Sequence, residues 1–138
     1  MGLRGVSLQL SAWGPAGVWA GTKLTYGATS FLFMGDAGYN QGDGENIALK
    51  SGIDLKCDVL KVGHHGSAYS SGREFLSQAK PTYSVITTSA VTSTGHPHKS
   101  ALDRLKVYSD YIYQSKIDGT ILFVSDGNTL TVTKHIGE

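Results

Sequence analysis

Asp58-Val59-Leu60-Lys61-Val62-Gly63-His64-His65-Gly66-Ser67 is the stretch that decides the fold. Its first half is an apolar run of strand length, with β-branched Val59 and Val62 around Leu60, which marks a buried strand. Gly63 and Gly66 then bracket two adjacent imidazoles with residues that permit sharp turns. Imidazoles released at a strand end are placed to bind a metal ion or to move a proton. The chain of 138 residues has five histidines, and four stand as the pairs His64/His65 and His96/His98.

Two more apolar runs end the same way. Phe31-Leu32-Phe33-Met34 leads into Gly35-Asp36, and Thr82 to Thr88, released by Pro81, leads through a Ser/Thr-rich loop into Gly95-His96-Pro97-His98. Strand-end loops in α/β folds meet along one sheet edge, where sites are built. A carboxylate and several neutral imidazoles converging there suit zinc or a similar divalent ion. Each element alone has a plainer reading: an Asp turn, one buried and one solvated histidine, a turn before a helix. In this order and together they favour a site. His98 reads as a helix N-terminal residue and His135 as solvated, while Gly42-Asp43-Gly44 follows no clear strand and makes no phosphate-binding loop.

The remaining elements follow from periodicity and turn chemistry. Ser7 to Trp13 alternates weakly as a strand, and Lys23 to Tyr26 with Ser30 to Met34 reads as a hairpin around Gly27-Ala28-Thr29. Asn46 to Ser51 is a short helix stopped by Gly52. Ser71 is placed to cap a helix running to about Gln78, and Ala101, Leu102 and Leu105 give helical spacing from Lys99 to Tyr108. Tyr111 to Tyr113 is a short strand, and Gly119 to Ser125 and Thr129 to Thr133 flank the hairpin turn Asp126-Gly127-Asn128. Trp13 to Gly21 has no clear assignment. Strands first, then alternating strands and helices, predict a single α/β domain over residues 1–138 with a mixed sheet and flanking helices.

The totals exclude several classes. A hydrophobic content of 40% with 17% charged residues fits a globular chain, and a net charge of +1 lacks the basic signature of a nucleic-acid binder. Cys57 is the only cysteine, so no internal disulfide or cysteine-built zinc site forms, and it reads as a small core residue. No apolar run approaches the roughly 18 residues of a membrane span, and Met1 to Gly5 lacks the core of a secretory signal. The expectation is a soluble chain.

Leu24-Thr25-Tyr26-Gly27, Ser30 to Gly38, Asp58 to Ser67, Gly95-His96-Pro97-His98 and Asp118-Gly119-Thr120-Ile121 occur in an order that resembles one family. It is the metallo-β-lactamase-fold hydrolases of the competence DNA-uptake (ComEC) type, over about Leu24 to Val132. The resemblance implies the C-terminal half of an αββα sandwich. It also implies a phosphodiesterase or nuclease acting on DNA, single-stranded DNA as partner, and attachment to a membrane DNA-uptake channel. On this basis Asp36 resembles the carboxylate that bridges two metal ions, zinc or manganese, and His96 the last histidine ligand. His64 and His65 resemble the catalytic histidine pair at the scissile phosphate, with His65 favoured as proton donor and Ser67 at the phosphate-binding turn.

The family's His-x-His-x-Asp-His metal motif does not occur in the sequence. The ligand set is therefore incomplete, and the expectation is a half-domain short of ligands for activity on its own. Half of a sandwich also exposes the sheet face meant for its partner, to be covered by the N-terminal half or by a second copy. The rival readings are a non-catalytic nucleic-acid-binding or assembly module and another hydrolase of the superfamily, such as a lactamase, lactonase or phosphocholine esterase.

Overall fold

In the computed structural model, residues 6–14, 21–91 and 93–136 are described. Strands β1 (Leu8–Trp13), β2 (Gly21–Tyr26) and β3 (Thr29–Phe33) form an antiparallel meander. Helix α1 (Gly44–Lys50) crosses to β4 (Val59–Lys61), α2 (Arg73–Ala79) to β5 (Tyr83–Ile86), and α3 (Lys99–Tyr108) to β6 (Tyr111–Gln114). The last four of these strands run parallel, giving a mixed six-stranded sheet in the order β1-β2-β3-β4-β5-β6. A one-turn helix α4 (Ser115–Asp118) precedes the hairpin of β7 (Thr120–Ser125) and β8 (Leu130–His135). The expected α/β class with a mixed sheet and flanking helices is the observed one.

The strand order explains which face is covered. Parallel strands added in one direction through right-handed crossovers place every crossover helix on the same side. On that side Leu32, Leu60, Leu76, Ile86 and Leu105 are fully buried, with Phe75, Leu55 and Cys57 beside them. Burial pushes the Cys57 thiol up to about 12, so it stays a neutral core group, as its position in the sequence implies. Strand alternation sends Leu8, Leu10, Phe31, Phe33, Tyr83, Tyr111 and Tyr113 to the opposite face. There the β7–β8 hairpin seats Phe123 against Phe31, Tyr83 and Tyr113 at centroid distances of 6.4, 5.3 and 6.5 Å. Away from the hairpin, Leu8 and Leu10 are 67% and 70% exposed.

Three expectations need correction or placement. Ser71 does not cap α2; Gly72 holds that position, and Ser71 sits in a left-handed conformation at φ 58°. Its N–H is taken by the Glu45 carboxylate, a partner distant in sequence. Strand β5 stops at Ile86 rather than Thr88, because the Thr88 N–H and C=O both turn to the Ser115 hydroxyl, at 2.9 and 2.8 Å. Of the unassigned stretch from Trp13 to Gly21, residues 15–20 lie outside the described residues, while Trp13 ends β1 and is buried.

Candidate functional site

Adjacent parallel strands share a carboxyl edge, so the segments after β3, β4 and β5 emerge side by side. They enclose an open cleft of about 600 Å³ lined by Asp36, His64, His65, Thr87, Thr88 and His96, among others. Asp36, His64, His65 and His96, each expected at a strand end, are four of these six residues, and the fold brings all four to one place.

Two glycines draw the loops together. A Cβ on Gly63 would lie 2.5 Å from the Ala37 carbonyl oxygen, so only glycine lets the β4 turn meet the β3 loop backbone to backbone. The His64 N–H then donates to the Gly35 carbonyl at 2.9 Å. Gly66, at φ 76°, lies where a Cβ would be 2.7 Å from the Pro97 Cβ, and its carbonyl accepts from the His98 N–H at 2.8 Å. His98 in turn caps α3, its Nδ1 accepting from the Ser100 N–H, as its sequence position suggests.

Between those glycines His64 and His65 adopt left-handed φ values of 47° and 53°. For residues with a Cβ this costs about 1–2 kcal/mol each, which the surrounding structure must sustain. The result aims both rings into the cleft. His65 Nδ1 lies 2.6 Å from the Thr87 carbonyl oxygen, and a carbonyl only accepts, so Nδ1 carries the proton. His65 Nε2 is therefore directed at Asp36 Oδ1, 3.8 Å away. A proton or a cation placed between the two would join them.

His64 meets His96 edge to face, with ring centroids 5.6 Å apart. His96 Nδ1 is buried without a hydrogen-bond partner, and so is Thr88 Oγ1 in the same cleft. Burial, reinforced by the neighbouring His64, His65 and His98, holds the His96 pKa below its ordinary value and keeps its ring neutral. A neutral imidazole with a bare, desolvated nitrogen is the form a metal ion takes. Yet among the described residues no group of three or more His, Cys, Asp or Glu side chains gathers closely enough to hold an ion. Zinc takes three protein ligands plus water, so Asp36 and His96 with their described neighbours do not by themselves fit a resident zinc or manganese ion.

Ser67 is buried and stands apart from the cleft wall, its N–H donating to the His64 carbonyl at 2.9 Å and its Oγ accepting from the Tyr69 N–H at 3.3 Å. It shapes the turn. Lys61 escaped the sequence reading: burial lowers its pKa, the Asp36 charge opposes that shift, and its Nζ donates to the Val62 carbonyl at 2.8 Å. As a lone lysine inside an apolar run it carries no signal of a role in the sequence. In the sequence Thr87 and Thr88 read only as the end of the Thr82 to Thr88 strand, with no sign of a role in the site. His135 is exposed, as expected.

The chain matches the metallo-β-lactamase superfamily over residues 5–89. It is 34% identical over 97 residues to ComE operon protein 3 of Bacillus subtilis, covering 70% of this chain and 12% of that protein. It is 32% identical over 95 residues to Recombination protein 2 of Haemophilus influenzae, covering 69% of this chain and 11% of the relative. Competence protein ComA of Neisseria gonorrhoeae is 28% identical over 101 residues, or 73% and 14% of the two chains. The chain thus spans only about an eighth of these relatives' lengths. No solved structure matches it. Strand-end Asp and His loops on one edge of a mixed sheet, the superfamily match and the competence-type relatives agree: the chain belongs to the metallo-β-lactamase superfamily.

Proposed function

We propose that this chain supplies one wall of a metal-dependent phosphodiesterase centre that acts on single-stranded DNA during competence DNA uptake, as a domain attached to a membrane channel. The observation that carries the reading is the His65 relay, with Nδ1 fixed on the Thr87 carbonyl and Nε2 facing Asp36 in the cleft. Among the described residues no helix is long and apolar enough to cross a membrane, so the channel lies in other parts of such a protein. The described donors do not complete a metal shell, so the remaining ligands come from a second segment, with zinc or manganese as the ion. That segment, the N-terminal half of the fold or a second copy, also covers the open sheet face.

Protonated His65, paired with Asp36, gives its Nε2 proton to the departing oxygen of the phosphodiester, and such general acid catalysis contributes about 10²–10⁴-fold. His64 stands beside it at the phosphate, and Ser67 fixes the turn that carries both. Asp36 and His96 face the same space and are the groups offered to the ion.

A second reading, a non-catalytic binding or assembly module, is favoured by the incomplete donor set together with the exposed Leu8 and Leu10. Co-expression with the segment of Bacillus subtilis ComE operon protein 3 that precedes the matched region separates these. The first reading expects stoichiometric zinc or manganese and cleavage of single-stranded DNA, both absent from the chain alone, with cleavage lost in His65→Ala at unchanged fold. A complemented protein without metal or cleavage supports the module. One that opens a lactam or ester but leaves DNA intact places the chain with another hydrolase of the superfamily.

A further inference from the structure

The segment after the histidine turn is gripped from behind by two charged side chains that line none of the cleft. Glu45, in the first turn of α1, is 1% exposed, and its carboxylate accepts from the N–H groups of Ser71 and, at 2.8 Å, Gly72. Arg104, on α3, donates through Nε to the Ser71 carbonyl at 2.9 Å and through one Nη to the carbonyls of Ala68 and Ser70 at 2.8 and 2.9 Å. Its guanidinium also lies 5.3 Å over the Tyr39 ring, whose hydroxyl donates to the same Ala68 carbonyl at 3.1 Å. An acid thus takes the N–H groups of one short segment while a base takes its carbonyls.

That division matters because the segment carries improbable backbone. His64, His65 and Ser71 all hold left-handed φ values, and such conformations persist only where their surroundings over-determine them. The turn and the gripped segment are continuous: Ser67 N–H donates to the His64 carbonyl, and Ser70 N–H to the Ser67 carbonyl. The three Arg104 bonds are charge-assisted, stronger and less compliant than neutral ones. Ser70 and Ser71 are themselves buried, so water offers no substitute partner for these groups.

We infer that Glu45 and Arg104 are positioning residues, a paired clamp on residues 68–72 that holds His64 and His65 in their left-handed turn and so aims the rings into the cleft. The inference concerns the turn's geometry; only its consequence for turnover rests on the phosphodiesterase reading. Burial raises the Glu45 pKa to about 7 against the pull of the Gly72 and Ser71 N–H groups and Arg104, which marks how fully the clamp is removed from water.

Glu45→Gln replaces one carboxylate oxygen with an NH2 group, which opposes one of the two N–H donors. Arg104→Lys keeps the charge but loses the fork that reaches three carbonyls. Both are made in the full chain and read by amide hydrogen exchange, with imidazole 15N spectra of His64 and His65 alongside. The expected result is exchange about 10-fold faster at Ser67 and Ser70 with altered His64 and His65 resonances. Leu32 and Leu60 amides on the same sheet should be unchanged. Exchange and imidazole spectra like the parent's in both variants, or loosening spread equally to Leu32 and Leu60, would overturn the clamp. In the complemented pair, a turn loosened as described with DNA cleavage unaffected would leave the clamp standing and remove the catalytic reading. A fall of about 10-fold in kcat at unchanged KM would join the two.

Discussion

The two faces of the six-stranded sheet are made of similar residues and meet opposite fates. On the helix side Leu32, Leu60 and Ile86 are wholly buried; on the other, Leu10 is 70% exposed, Tyr111 53% and Phe33 43%. The composition of the strands does not set this difference. It comes from the one-way strand order, which sends α1, α2 and α3 to a single side and leaves the β7–β8 hairpin as partial cover for the other. A monomer seldom leaves such a strip of apolar side chains open, which is the reason a second cover is proposed for this face.

The largest expected effect breaks the helix face. Leu60→Ala deletes a fully buried side chain beneath the site and should cost about 2–5 kcal/mol in urea unfolding. A cost below about 1 kcal/mol would mean that the helices pack loosely and the contrast is overstated. Next comes pH. The Glu45 carboxyl stands at about 7 in the fold against an ordinary 4.5, so the native state binds its proton more tightly than the unfolded state. Its contribution is complete below about pH 4.5 and is lost as pH rises through 7, a fall of roughly 3 kcal/mol at the upper limit of 1.36 kcal/mol for each pH unit. Glu45→Gln should flatten that part of the stability profile. The same slope in the variant would assign it to another group.

Gly63→Ala presses a Cβ onto the Ala37 carbonyl and should cost about 1–3 kcal/mol while moving the His64 and His65 resonances. Smallest is the open face: Leu10→Ser should change unfolding free energy by no more than about 0.5 kcal/mol. Where a second copy covers this face, the same substitution should weaken self-association in sedimentation. A cost approaching that of Leu60→Ala would show that Leu10 is already packed in solution, which sharpens the comparison into one between two buried faces.

The sequence made the local rules legible. Helix α3 reads from Lys99 to Tyr108 because Pro97 and His98 mark its start and Ala101 and Leu105 its buried stripe. Asp36, His64, His65 and His96 were legible as a group because each follows an apolar strand, and parallel neighbours share an edge. What stayed hidden depends on distant partners. Ser71 looks like a helix cap, and only Glu45, 26 residues earlier in the chain, explains why it is not. Strand β5 reads to Thr88 by composition, yet the Ser115 hydroxyl draws Thr88 out of the ladder. The pairing of His65 with the Thr87 carbonyl, which fixes its tautomer, likewise joins two segments that the sequence shows only as separate loops.

The central claim is that Asp36, His64, His65 and His96 act as one centre completed by donors from a second segment. The most direct test is a zinc titration of the 15N imidazole resonances with the segment of Bacillus subtilis ComE operon protein 3 that precedes the matched region present. The account predicts that His65 and His96 move together in a single phase that His135 does not share, and that the Asp36→Asn variant abolishes this phase. Independent shifts at different zinc levels, or His135 responding first, would contradict it.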